Sequence, residues 1–270
     1  MTAPTARAAP EMTALNRRAA PDAGRRSLVA VASGKGGVGK TWFAITLADA
    51  LARAARRVLL FDGDLGLANV DVQLGLTPTR DLGTVLAGRA ALAEAVVRSP
   101  GGGFDVLAGR SGSGALSALD PAGLDRVLAL LREATVRYDI VLLDLGAGID
   151  RAARRMAAAA DRLLVLATEE PTSLTDAYAV LKLHAADRPA GAAEIVVNQA
   201  ASRVAGERTY DALRRACATF LGHAPPLAGV IRRDDRVREA VRRQALLLTR
   251  SPGCAAAADV EAIAHGLLRR

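Results

Sequence analysis

Lysine is scarce in this chain. Of thirty-six basic residues only Lys35, Lys40 and Lys182 are lysines; the rest are arginines. Aromatic residues make up only 3%, which argues against a stacking platform for single-stranded nucleic acid. With so few aromatics the core must be Leu, Val and Ala, and that suits a parallel sheet covered by helices. There are two cysteines, Cys217 and Cys254, far apart. They form neither a disulfide framework nor a metal-binding pattern, which fits a reducing cytoplasm. No run of eighteen apolar residues occurs, so no membrane-spanning helix is expected. The N-terminal stretch lacks the apolar centre of a signal peptide.

What is present is 51% apolar residues over 270 positions, enough for one large α/β domain or two small ones. The net charge is +8, with Arg232, Arg233, Arg236, Arg238, Arg242 and Arg243 clustered. Such a surface suits nucleic acid, anionic lipid or an acidic protein, and it equally suits solvated helix faces in an Arg- and Ala-rich chain.

Residues 1–27 carry Ala, Pro and Arg without sustained periodicity and read as a disordered tail, with a short helix possible over Met12 to Arg18. From Leu28 apolar runs alternate with helical stretches. Strands are expected at 28–32, 57–62, 104–108, 138–144, 162–168, 194–198 and 227–231. Asp120-Pro121 should open a helix running to about Val136, with Asp as cap and Pro at the first helical position. Ser173, with Asp176 three residues on, has capping-box spacing and should open another. Helical segments over 235–244 and 255–268 close the chain. In the last, Val260, Ile263, Ala264, Leu267 and Leu268 share one face, which fits either a membrane-surface helix or the closing helix of the fold. Repeated strand–helix units imply a doubly wound, mostly parallel sheet flanked by helices, with the site at the strand C-termini. Residues 28–270 read as one domain.

The chain is organised around Gly34-Lys35-Gly36-Gly37-Val38-Gly39-Lys40-Thr41, between an apolar strand and a helix. That is a P-loop arrangement. Its glycines let backbone N–H groups wrap phosphate oxygens, Lys40 reaches the β- and γ-phosphates, and the Thr41 hydroxyl binds Mg²⁺. Asp144 ends an apolar strand and suits the Mg²⁺ shell through water. Gly146-Ala147-Gly148 after it reads as a mobile loop able to sense a γ-phosphate. Asp62 and Asp64 follow the second strand, where a carboxylate can orient the attacking water. Lys35 is extra: an ordinary P-loop does not require it.

Lys35 to Thr41 resembles the deviant Walker A motif of the MinD/ParA ATPases, and the resemblance covers 28–270. Asp62 to Asp71 and Glu170 to Tyr178 are most similar to the FlhG (FleN, YlxH) subfamily of flagellar-number regulators. The resemblance implies ATP and Mg²⁺ as cofactors and an ATP-bound homodimer in which Lys35 reaches the partner's phosphates. It implies that Asp64 positions water and that Asp62, Asn69, Asp144, Gly146 and Gly148 belong to the switches. It also implies that Asn198 recognises adenine and that Asp234 lies at the base pocket, in a segment lacking the usual proline. Slow, dimer-dependent hydrolysis follows, with an FlhF-like GTPase and flagellar switch-complex proteins as partners. A partition ATPase binding DNA nonspecifically, or a weakly hydrolysing scaffold, are the alternatives. The implied location is cytoplasmic, or peripheral at the inner membrane.

Overall fold

The computed structural model describes residues 26–109 and 119–269. The expectations for residues 1–25, including the helix over Met12 to Arg18, lie outside the described residues. In chain order the elements are β1 (Ser27–Ser33), α1 (Lys40–Arg53), β2 (Val58–Gly63), α2 (Val70–Leu74), α3 (Leu82–Leu86), α4 (Leu92–Ala95), β3 (Val97–Arg98) and β4 (Asp105–Leu107). They continue with α5 (Pro121–Arg137), β5 (Ile140–Ala147), α6 (Arg151–Ala159), β6 (Arg162–Ala167), α7 (Pro171–Asp187), β7 (Ala192–Ala200) and α8 (Arg203–Leu221). The last are β8 (Leu227–Arg232), α9 (Asp235–Arg242), α10 (Leu247–Arg250) and α11 (Ala255–Leu268).

The strands form one sheet in the order β3-β4-β2-β5-β1-β6-β7-β8. Every pairing is parallel except β3 with β4. Both faces are covered, so the central strands are apolar throughout rather than alternating with polar residues. In β1, Leu28, Ala30 and Ala32 enter one core, shared with α3 to α8, while Val29 and Val31 enter the other, shared with α1, α2 and α9 to α11. That alternation is the two-residue period of a strand.

The helix over 120–136 begins as its sequence implies: Pro121 is its first residue, and Gly123 N–H donates to the Asp120 carboxylate at 2.6 Å. The helix after β6 does not begin at Ser173. It starts at Pro171, whose fixed φ and missing N–H suit the first helical position. Ser173 is buried within the first turn, and its Oγ accepts the Thr168 N–H at 3.0 Å, tying the helix to the end of β6.

Two long elements escaped the periodicity. α6 and α8 are Arg- and Ala-rich and bury only three residues each, so no continuous apolar stripe marks them. For α11 the apolar face settles inward. Val260, Ile263 and Ala264 are buried in the core shared with α1, and Leu267 and Leu268 pack against it. The same helix carries the buried Asp259, which accepts from the Arg232 N–H at 3.0 Å, the Arg232 guanidinium at 2.8 Å and Arg203 at 2.9 Å. α11 is the closing helix of the fold.

Candidate functional site

Register brings the site together. Val31 of β1 pairs with Asp144 of β5, and Asp144 pairs with Asp62 of β2. The loops after β1, β2, β5, β7 and β8 therefore leave the sheet side by side at its C-terminal edge, where doubly wound sheets bind ligands. The P-loop, the β2 loop and the ends of β7 and β8 enclose a cavity of about 1050 Å³.

The loop from Gly34 to Gly39 wraps over the start of α1. A Cβ on Gly34 would lie 2.3 Å from the Asp176 carbonyl oxygen, because α7 crosses there. Gly39 has φ 87°, and a Cβ on it would lie 2.6 Å from Asn198 Nδ2. Glycine is the residue that meets both demands. Asn198 Nδ2 donates to the Val38 carbonyl at 2.8 Å, and Gln199 Nε2 donates to the Gly37 carbonyl at 3.3 Å. Both bonds occupy loop carbonyls and leave alone the N–H groups a phosphate would use. Gly36 and Gly37 line the cavity beside them, and Lys40 and Thr41 open α1, both buried.

Asp144 sits beneath them, almost wholly buried. Burial pushes its carboxyl up to about 6, against the pull of Lys40 and a hydrogen bond with Thr41. Its Oδ1 is buried with no hydrogen-bond partner. Asp62 is pushed further, to about 8, first by burial and then by the Asp144 charge; hydrogen bonds from the Val70 and Asp64 N–H groups oppose the rise. The Thr41 hydroxyl and the open Asp144 oxygen fit Mg²⁺, which takes few protein ligands alongside phosphates and water. Among the described residues no three His, Cys, Asp or Glu side chains form a complete metal cage.

Asp64 closes the loop after β2 by accepting the Gly66 and Leu67 N–H groups at 3.2 and 2.8 Å. Its Oδ1 lies 3.3 Å from where a Cβ on Gly146 would stand, so the β2 and β5 loops touch. The expected mobile loop is shorter than the sequence implies: Gly146 and Ala147 end β5. The chain turns at Gly148, with φ 107° and its N–H donating to the Ser33 carbonyl at 2.9 Å.

Lys35 stands at the rim. Its Nζ forms an ion pair with Glu170 and a 3.1 Å hydrogen bond with the Thr172 hydroxyl. Lys35 in turn holds the Glu170 carboxyl below its ordinary range. At the far wall, Asp234 caps α9 by accepting the Arg236 N–H at 3.0 Å. Burial pushes its carboxyl up, but hydrogen bonds from Arg236, Ala256 and Cys254 outweigh that and hold it low. Asn69 precedes α2, and its Oδ1 is buried without a partner.

Lys35, Lys40, Thr41, Asp64, Asn69, Asn198 and Asp234 thus line one cavity, with Asp62 and Asp144 behind it. Sequence reasoning missed three contributors. Trp42, the single tryptophan, follows Thr41 directly and lines the same cavity; its place in the motif was the available signal. Gln199 and the Glu170–Thr172 clasp on Lys35 had none, because those contacts span more than 130 positions.

A strand-loop-helix phosphate cradle, a strand-end carboxylate against its threonine and an eight-stranded doubly wound sheet define a P-loop nucleotide-binding protein. The sequence matches the CobQ/CobB/MinD/ParA nucleotide binding domain over residues 29–247, and the chain belongs to that family. It is 37% identical over 238 residues to antiactivator FleN of Pseudomonas aeruginosa, covering 88% of this chain and 85% of FleN. It is 28% identical to the flagellum site-determining protein YlxH of Helicobacter pylori, covering 91% of this chain and 82% of YlxH. Among solved structures, it superposes on the septum site-determining protein MinD of Pyrococcus horikoshii complexed with Mg-ADP. The TM-score is 0.74 at 27% identity, over 89% of this chain and 95% of that one.

Proposed function

We propose that this protein is a MinD-like ATPase switch that closes into a dimer around ATP and hydrolyses it slowly to regulate flagellar number or placement. The observation that carries the nucleotide chemistry is the pairing of Thr41 with a buried, half-open Asp144 beneath a braced P-loop. Mg²⁺, when bound, neutralises charge on the β- and γ-phosphates. Lys40 and the loop N–H groups bind the phosphates, and Asp64 orients the attacking water at the mouth. Residues 28–270 act as one ATPase domain.

Dimerisation is supported at the rim. Leu67 and Ile149 are 75% and 49% exposed, one in each loop that meets at Asp64 and Gly146. Apolar side chains so placed are natural cover for a second copy. Lys35 at the rim is free to change partner from Glu170 to the phosphates of that copy, tying turnover to assembly as an arginine finger does in trans. FleN and YlxH are the relatives that support the flagellar reading, with an FlhF-like GTPase and switch-complex proteins as candidate partners.

Light scattering and phosphate release test this. Asp64→Ala should form an ATP-dependent dimer with turnover reduced at least a hundredfold. Lys35→Ala should bind ATP and stay monomeric. A normal Lys35→Ala dimer would refute the role in trans. A second reading, ATP-dependent binding to nonspecific DNA, draws on Arg233, Arg236, Arg238 and Arg242, for which no ion pair is found among the described residues. Retention on random duplex DNA that is lost with rising salt would favour it.

A further inference from the structure

β7 is one residue too long for its neighbour. Its Val197 pairs with Val230 of β8 and its Ala200 with Arg232, so three steps on β7 oppose two on β8. The surplus is a β-bulge, a feature that re-aims side chains and is rare between parallel strands. It falls at Asn198 and Gln199, just past Val197, the last residue of β7 paired with β6. Gln199 carries the strain, with φ 57°. A left-handed bulge position is normally glycine, because a Cβ is penalised there. The other non-glycine residues with positive φ among the described residues are Ala55 and Gln244. Gln199 lines the nucleotide cavity and those two do not. Strain retained under a long polar side chain at the edge of a site marks a task for that side chain.

The bulge aims two consecutive amide side chains at two consecutive P-loop carbonyls. Asn198 Nδ2 donates to Val38 and Gln199 Nε2 donates to Gly37. Asn198 Oδ1 accepts the Gln199 N–H at 2.9 Å, which holds the bulge in shape. In a trans peptide the C=O and the following N–H point in opposite directions. Anchoring the Gly37 carbonyl therefore turns the Val38 N–H away from β7, and anchoring the Val38 carbonyl does the same for the Gly39 N–H. The Gly37–Val38 peptide has the greater need of its anchor. Gly37 has φ 79°, and nothing lies within 4 Å of where its Cβ would stand. Glycine takes either sign of φ with similar ease, so little else stops this peptide from turning over. We propose that Gln199 is a positioning residue: through the Gly37 carbonyl it holds the Val38 N–H toward the bound phosphates, and the strained bulge is what puts it there. This rests on the P-loop reading above and adds to it a residue that acts through the loop rather than on the nucleotide.

Calorimetric titration of the full chain with Mg-ATP and with inorganic tripolyphosphate, beside thermal unfolding, tests it. Gln199→Asn keeps the bulge, since asparagine tolerates left-handed φ, but its amide is one methylene too short to reach Gly37. Both ligands should weaken by the same factor, about fivefold, the worth of one neutral hydrogen bond. The unfolding midpoint should move by less than about 2 °C. Gln199→Glu keeps the reach, but a carboxylate cannot donate, so both ligands should weaken by more than about tenfold. In phosphate-release assays Gln199→Asn should raise KM about fivefold with kcat unchanged, because the N–H serves ground and transition states alike. The proposal is overturned if Gln199→Asn leaves both affinities unchanged, or if the loss is confined to ATP, which would put Gln199 on the base or ribose. It is overturned as well if kcat falls while KM stays, or if both variants lower the unfolding midpoint by more than about 2 °C. Failure of wild-type protein to bind tripolyphosphate at all would instead sink the P-loop reading itself.

Discussion

Glu170 and Thr172 hold the Lys35 ammonium on its own chain, at the rim of the site. A lysine that must serve a second copy has first to leave that clasp. Glu170→Gln should therefore lower the ATP concentration needed for half-dimerisation a few-fold, with monomer affinity for ATP unchanged. An exposed ion pair is worth little in water, so a larger effect is not expected. Sedimentation across an ATP series checks it; an unchanged midpoint would mean the clasp exerts no control. His184 on α7 is a different case. Both ring nitrogens are buried without partners, and burial, then Arg188, lowers its pKa against the opposing Asp187. The neutral ring is favoured in the folded state. Its stabilising contribution is full above the unfolded value of about 6.5 and drains away as pH falls through the lower folded value. The urea midpoint should drop between about pH 7 and about pH 5, and His184→Leu should flatten that drop. Parallel curves would clear His184.

The elements divide by how they announce themselves. β1, β5 and β6 are buried on both faces, and their Leu-Val runs leave no other reading. The P-loop was legible for a related reason: its glycines answer to local backbone demands, φ at Gly39 and close approach at Gly34. α6 and α8 were hidden because each buries only three residues, mostly small ones, in an Arg- and Ala-rich stretch that lacks the large apolar side chains of a recognisable stripe. The partners of Lys35 were hidden because pairing across the sheet depends on topology, not on neighbours in sequence. α11 shows the limit of periodicity itself. Its apolar face is equally compatible with lipid and with α1, and only packing decides. Asp259 fastens that helix to β8 through Arg232 and Arg203. Asp259→Ala should lower the unfolding free energy by about 1–3 kcal/mol, since the Arg232 N–H loses its acceptor. Chemical denaturation reads this directly; a change below about 0.5 kcal/mol would show that the network is ornamental.

At the scale of the whole molecule, the charge excess is carried by arginine, and the amines are few and differently placed. Lys182 lies exposed on α7, Lys35 is clasped at the rim, and Lys40 is buried beneath the loop. Acylating reagents modify amines and leave guanidinium groups alone, so nearly the entire basic surface is invisible to them. A single acetylation time course, read by peptide mass spectrometry, then reports the state of the switch. Lys182 should react at one rate throughout and serve as the internal standard. Lys40 should be shielded by any nucleotide, whereas Lys35 should be shielded only when ATP brings two copies together. Equal protection of Lys35 by ADP and ATP would contradict that order. An arginine-rich surface thus makes the few remaining amines a covalent clock for the assembly cycle.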